Sequence, residues 1–234
     1  MDKNFEIEYE SLLENPAMRV PICLCLDVSG SMSYNGKIDA LNQGIKEFID
    51  ILYEDEIARD AAELCIITVG NSAPELISNF SSIDKLRLDK RIGNFTAKGV
   101  TPLGHAVQMA IRHLNERKEL YKETDTDYYQ PWLVIMSDGA PTDDEEVEKT
   151  ISITQKMIED RKLYSLSILI GEYAEGAELL GKYASSSKAC RIQEINMREF
   201  FRWLSSSVSK ISKSTPGSNQ DPFSDMYDSG IFLK

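Results

Sequence analysis

Asp27, Ser29 and Ser31 alternate along Leu26-Asp27-Val28-Ser29-Gly30-Ser31-Met32, one carboxylate and two hydroxyls spread around a glycine. Such side chains are hard oxygen donors, suited to Mg²⁺ and not to zinc or copper. Two distant segments offer donors of the same kind. Thr101 lies within Gly99-Val100-Thr101-Pro102-Leu103-Gly104, and Asp138 within Ser137-Asp138-Gly139. Three hydroxyls and two carboxylates from separate loops can hold a cation that prefers about six oxygens, partly through water. Hydroxyls carry no charge, so a cation held in this way stays electrophilic and can accept a carboxylate from another molecule.

The rest of the chain has to bring these segments together. Val20-Pro21-Ile22-Cys23-Leu24-Cys25-Leu26 is an apolar run long enough for a fully buried strand, and it stops at Asp27. Trp132-Leu133-Val134-Ile135-Met136 does the same before Ser137 and Asp138. Ligands of open α/β sheets sit outside the carboxyl ends of the strands, so both carboxylates are expected on one crest. Thr101 is the expected N-cap of a helix with Pro102 at its first position. Leu103, Ala106, Val107, Ala110, Ile111 and Leu114 line one face of that helix. After Asp27, a second helix buries Ile38, Leu41, Ile45, Phe48, Ile49 and Leu52.

Further strands are expected over residues 64–70, 163–171 and 190–195. Residues 75–80 form an antiparallel edge strand, because their connection is too short for a crossover. Residues 81–98 and the polar stretch 117–130 read as loops. Thr142 is the expected cap of a helix opening with Asp143, Asp144, Glu145 and Glu146, whose charges suit the positive end of its dipole. A short helix around residues 178–180 and a final helix striped by Phe200, Phe201, Leu204, Val208 and Ile211 complete the pattern. Strands alternating with helices imply an α/β fold with a doubly wound, mostly parallel sheet and helices on both faces.

Three parts follow from composition. Residues 1–18 are an acidic leader in which Phe5-Glu6-Ile7-Glu8-Tyr9 alternates like a short edge strand. Residues 19–211 are the folded domain, and residues 212–234 are a flexible tail rich in Ser, Pro and Gly. A net charge of −12 argues against nucleic acid or an anionic membrane as partner. No apolar run approaches the roughly 20 residues of a membrane span. The start lacks a basic segment followed by an apolar one, so a cytoplasmic protein is expected. The four cysteines sit in apolar runs and read as small buried side chains of a reducing compartment.

These motifs, in this order and approximate spacing from about Arg19 to Ile211, resemble a von Willebrand factor type A domain with a metal-ion-dependent adhesion site. The pattern of that site is Asp-x-Ser-x-Ser with a distant Thr and a distant Asp. The resemblance implies Asp27, Ser29, Ser31, Thr101 and Asp138 as metal ligands. The three hydroxyl residues would be direct or switchable ligands, and the two aspartates would often act through water. It implies Mg²⁺, with Mn²⁺ or Ca²⁺ as alternatives, and a protein partner that offers an Asp or Glu to the metal. Val100 departs from the glycine that relatives often carry, which stiffens the threonine loop without removing a ligand. Within the family the motifs are similar to the bacterial tellurium-resistance TerY-like group. That implies an adaptor in a stress system, often encoded with a kinase and a phosphatase.

The rival chemistry is Mg²⁺-dependent phosphoryl transfer by the same strand-end aspartates. A phosphatase of the haloacid-dehalogenase type would carry a second aspartate where Ser29 stands. A Ser-His-Asp hydrolase would need a histidine base. His105 and His113 are the two histidines, both on the helix after Thr101, and no Gly-x-Ser-x-Gly elbow is present. A binding module that is not an enzyme is the expected function.

Overall fold

In the computed structural model, residues 9–10, 12–193, 196–214 and 221–223 are described. Six strands form one sheet in the order β3-β2-β1-β4-β5-β6. They are β1 (Val20–Asp27), β2 (Ala62–Val69), β3 (Glu75–Ser82), β4 (Trp132–Ser137), β5 (Tyr164–Ile170) and β6 (Cys190–Ile192). Every neighbouring pair is parallel except β2 with β3, which is the antiparallel edge strand read from the short connection. β1 and β4 are buried along their whole length, as a strand covered on both faces must be.

Helices cover both faces. On one side lie α1 (Lys37–Glu54), α2 (Glu56–Ala61), α3 (Ile83–Leu88) and α7 (Met197–Ser212). On the other lie α4 (Leu103–Glu123), α5 (Asp144–Glu159) and α6 (Ala174–Gly181). Alternate strand residues feed the two cores. Ile22, Leu24 and Leu26 face α1 and α7, while Cys23, Cys25, Ile67 and Leu133 face α4. Phe200, Phe201, Leu204 and Val208 of α7 are fully buried, each side chain contributing about 1.5–3 kcal/mol by leaving water.

Three expectations are corrected. Residues 81–98 contain the six-residue helix α3, anchored by Ile83 and Leu86. The stretch from residue 117 is not loop at its start. Helix α4 runs on to Glu123 because Arg117, Leu120 and Tyr121 share one buried face. Its N-terminus begins one residue later than expected, with Pro102 as the N-cap and Leu103 as the first helical residue.

The leader and the tail also meet the domain. The proposed strand at residues 5–9 falls outside the described residues apart from Tyr9, which packs with Leu12 and Tyr128 against Leu120 and Tyr121. Beyond residue 212, Phe223 is buried. Its ring lies 5.2 Å from Trp132, 6.0 Å from Trp203 and 6.4 Å from Tyr164.

Candidate functional site

The carboxyl ends of β1 and β4 are adjacent, so Asp27 and Asp138 arrive on the same crest. Asp27 ends β1 and is fully buried. One carboxylate oxygen accepts the Ser29 backbone N–H at 2.8 Å, and the other accepts the Ser137 hydroxyl at the end of β4. Burial pushes the Asp27 carboxyl above the ordinary range. The Ser137 and Ser29 hydrogen bonds pull it back, and nearby Asp138 adds to the rise.

A hydroxyl chain then crosses the crest. Ser29 Oγ lies 3.0 Å from Ser31 Oγ, and Ser31 Oγ donates to Asp138 Oδ1 at 2.6 Å. Gly30 leads from the strand into a single 3₁₀ turn, Gly30–Ser33, which folds Ser31 back over Ser29. Gly139 borders this corner, where even a Cβ would meet Ser31 Oγ only at an ordinary contact distance of 3.8 Å.

Thr101 is delivered by backbone bonds. Lys98 N–H donates to Val28 O at 2.8 Å and Gly30 N–H to Gly99 O at 3.0 Å, fastening its loop to the first crest loop. On its other side, the Thr101 carbonyl accepts Thr142 N–H at 2.9 Å, which ties it to the segment after Asp138. Thr101 is buried, and Val100 beside it is half exposed. All five residues named from the sequence therefore lie on one crest, with Ser29, Ser31 and Asp138 in direct side-chain contact. Among the described residues no cluster of three or more His, Cys, Asp or Glu could hold a metal. The donor set is instead two carboxylates with hydroxyls, the chemistry of a hard cation.

Two neighbours were not legible from spacing. Asp143 is the N-cap of α5, in place of Thr142, yet its side chain makes no cap there. It caps α4 instead. Its oxygens accept Gly104 N–H at 3.1 Å and His105 N–H at 2.9 Å, and His105 Nδ1 lies 2.7 Å away. The structural reason is that α4 is capped by Pro102 and not by Thr101, and the proline side chain offers no acceptor, so the first N–H groups need one from elsewhere. Gly104 permits this contact, because a Cβ there would fall 2.5 Å from Val147 N.

Lys37 is the second. Asn35 and Gly36 both adopt left-handed backbone, with φ of 56° and 72°, and turn the chain so that α1 starts at Lys37. Its Nζ lies 2.6 Å from Asp138 Oδ2. His105 is exposed at the rim, where its ring meets Asp143. The cysteines are buried and form no disulfide, and burial pushes the Cys23 thiol well up, so they are packing groups.

The fold and this crest define an α/β domain whose loops converge at the carboxyl ends of β1 and β4. The chain belongs to the von Willebrand factor type A domain family, which it matches over residues 22–140. Comparison with curated proteins returns no match. Among solved structures, the von Willebrand domain of the type V pilus tip protein Mfa5 from Porphyromonas gingivalis is similar at 10% identity and a TM-score of 0.66. The match covers 87% of this chain and 99% of that one. The mussel proximal thread matrix protein 1, with a zinc-occupied metal-ion-dependent adhesion motif, shares 18% identity at a TM-score of 0.54. There 85% of this chain and 46% of that one are covered. The manganese-loaded TRAP protein of Plasmodium vivax shares 23% identity at a TM-score of 0.50, covering 66% and 58%. Identities this low express likeness of fold.

Proposed function

We propose that the crest is a metal-dependent protein-binding site. Asp27, Ser29, Ser31, Thr101 and Asp138 would hold one divalent cation, Mg²⁺ by the hardness of its donors and Mn²⁺ or Ca²⁺ as substitutes. When bound, that cation supplies a positive centre that accepts an Asp or Glu side chain of a protein partner. The observation that carries this reading is the hydrogen-bonded run from Ser29 through Ser31 to Asp138, which assembles neutral and charged oxygens from two strand ends in one place. Two structural neighbours, described as zinc-occupied and manganese-loaded, support the fit of a divalent ion to this fold.

The phosphoryl-transfer alternative has less support. Asp27 is fully buried and both of its oxygens are engaged, so it is not presented as a nucleophile. The resemblance to the tellurium-resistance TerY-like group would imply a partner in a cytoplasmic stress system, often encoded beside a kinase and a phosphatase. Co-purification from native extract, with and without chelator, addresses that setting.

Calorimetric titration with Mn²⁺ and Mg²⁺ tests the site. One site is expected in the wild-type protein and none in Asp27→Ala or Asp138→Ala, with native circular dichroism in both. Equal binding by wild type and variants would rule the assignment out.

A further inference from the structure

Lys37 stands where helix electrostatics disfavours it. A cation in the first turn of α1 faces the positive end of the helix dipole, and Gly36 as N-cap offers no side-chain acceptor to offset that. Its placement is nevertheless enforced by the two left-handed residues before it. The side chain is mostly buried, at 15% exposure against 0% for Asp138, and the two are in contact at 2.6 Å. Asp138 thus divides its oxygens, Oδ1 to the serine chain and Oδ2 to the ammonium.

This arrangement has two consequences of opposite sign. Asp27, Asp138 and Lys37 together carry a charge of −1, so a divalent ion would leave the crest at +1. Without the lysine the same ion would leave it neutral. The lysine therefore weakens the hold on a cation and strengthens the pull on an anion.

We propose that Lys37 is a built-in competing cation that sets the selectivity of the crest. Through Asp138 it lowers affinity for the divalent ion and keeps the loaded site net positive toward a partner carboxylate. This rests on the reading of the crest as a metal site. It differs from that reading in assigning a role to a residue outside the five-residue motif.

The test uses the full chain with Mn²⁺ as probe. Lys37→Met, which keeps the stem and removes the charge, should bind Mn²⁺ about tenfold more tightly than wild type, the order expected for one like charge a few ångströms away. Lys37→Arg should stay near wild type. The rise in melting temperature from chelator to Mn²⁺ should be larger in Lys37→Met, since its apo form leaves Asp138 buried without a counter-charge. Acetate titrated into the Mn²⁺-loaded proteins, followed by water proton relaxation, should displace metal-bound water at lower concentration in wild type than in Lys37→Met. Lys37→Gln serves for all three measurements should Lys37→Met fail to fold. If wild type binds Mn²⁺, Asp138→Ala does not, and neutral variants bind it no more tightly than wild type, the role of Lys37 is overturned and the metal site stands. If wild type binds no Mn²⁺, both fall together.

Discussion

At the base of the sheet, Glu63 at the start of β2 receives Arg117 through two N–H···O bonds of 2.8 and 2.6 Å, and Tyr121 donates its hydroxyl to the same carboxylate. Arg19 adds a further charge at 3.7 Å. At the crest, the same sheet meets Asp27 and Asp138 with serine hydroxyls, one backbone N–H and one lysine. Burial works against the Arg117 charge, but Glu63 and Tyr121 outweigh it and hold the guanidinium well above its ordinary range. Burial likewise pushes the Tyr121 phenol well up, which keeps it a donor. A planar guanidinium fork closes the base permanently. The crest is held by neutral groups and a flexible ammonium, which leaves its carboxylates open to exchange partners. One end of the strands is closed by a charge-assisted fork, the other by groups that can exchange partners.

The largest effect should come from breaking the base. Arg117→Met strands Glu63 in the interior and should cost about 3–5 kcal/mol in urea unfolding while leaving Mn²⁺ affinity at the crest unchanged. A loss under about 1 kcal/mol would mean that Arg19 alone suffices and that the two ends differ less than their geometry suggests. Next is the aromatic contact on the same end. Phe223→Ala removes a ring buried against Trp132, Trp203 and Tyr164 and should cost about 3 kcal/mol in thermal or urea unfolding. An unchanged midpoint would make the tail dispensable, as its composition alone suggests.

At the crest the pattern should invert. Thr101→Val preserves shape and loses one hydroxyl, so stability should shift by less than about 1 kcal/mol while Mn²⁺ affinity falls several-fold by calorimetry. A variant that loses stability and keeps its affinity would place Thr101 among the structural groups.

The smallest effect belongs to an ion pair at neither end. Glu47 on α1 is held below the ordinary carboxylate range by the hydrogen bond from Arg198, with Arg202 adding to it. Its folded-state value is depressed, so its contribution is present above the unfolded Glu range and is lost as pH falls through the lower folded value. Glu47→Gln should therefore cost about 0.5 kcal/mol at neutral pH and nothing in strong acid, because both arginines are substantially exposed. A larger loss at neutral pH would assign surface pairs a weight reserved here for the base.

The sequence disclosed the crest better than the base, for physical reasons. β1 and β4 are buried on both faces, so their apolar runs are continuous and each ends visibly in its carboxylate. The stripes of α1 and α7 repeat over several turns and stand out for the same reason. Helix α3 is six residues long, too short to display a period. The end of α4 was hidden because one of its three buried residues, Arg117, is charged and counts as solvent-facing until Glu63 is placed beside it. Asp143 and Lys37 act across loops, on partners 38 and 101 residues away, and no local pattern encodes such pairs. Phe223 is a single aromatic in linker-like sequence, and only the gap between Trp132, Trp203 and Tyr164 gives it meaning.

Leu12 and Phe223 lie at the same end of the domain, Leu12 against Leu120 and Tyr121, and Phe223 against the first residues of β4 and β5. Leu12 and Phe223 therefore both sit on the side opposite Asp27 and Asp138. A tether attached through either flank would pull on the base, where the buried arginine pair and the aromatic contact resist extension. The crest would point away from the anchor, free to sweep the surrounding volume. A label, bead or surface linkage introduced at Leu13, exposed beside Leu12, should accordingly leave the crest sterically unobstructed, while one grafted at Asn35 would shadow it.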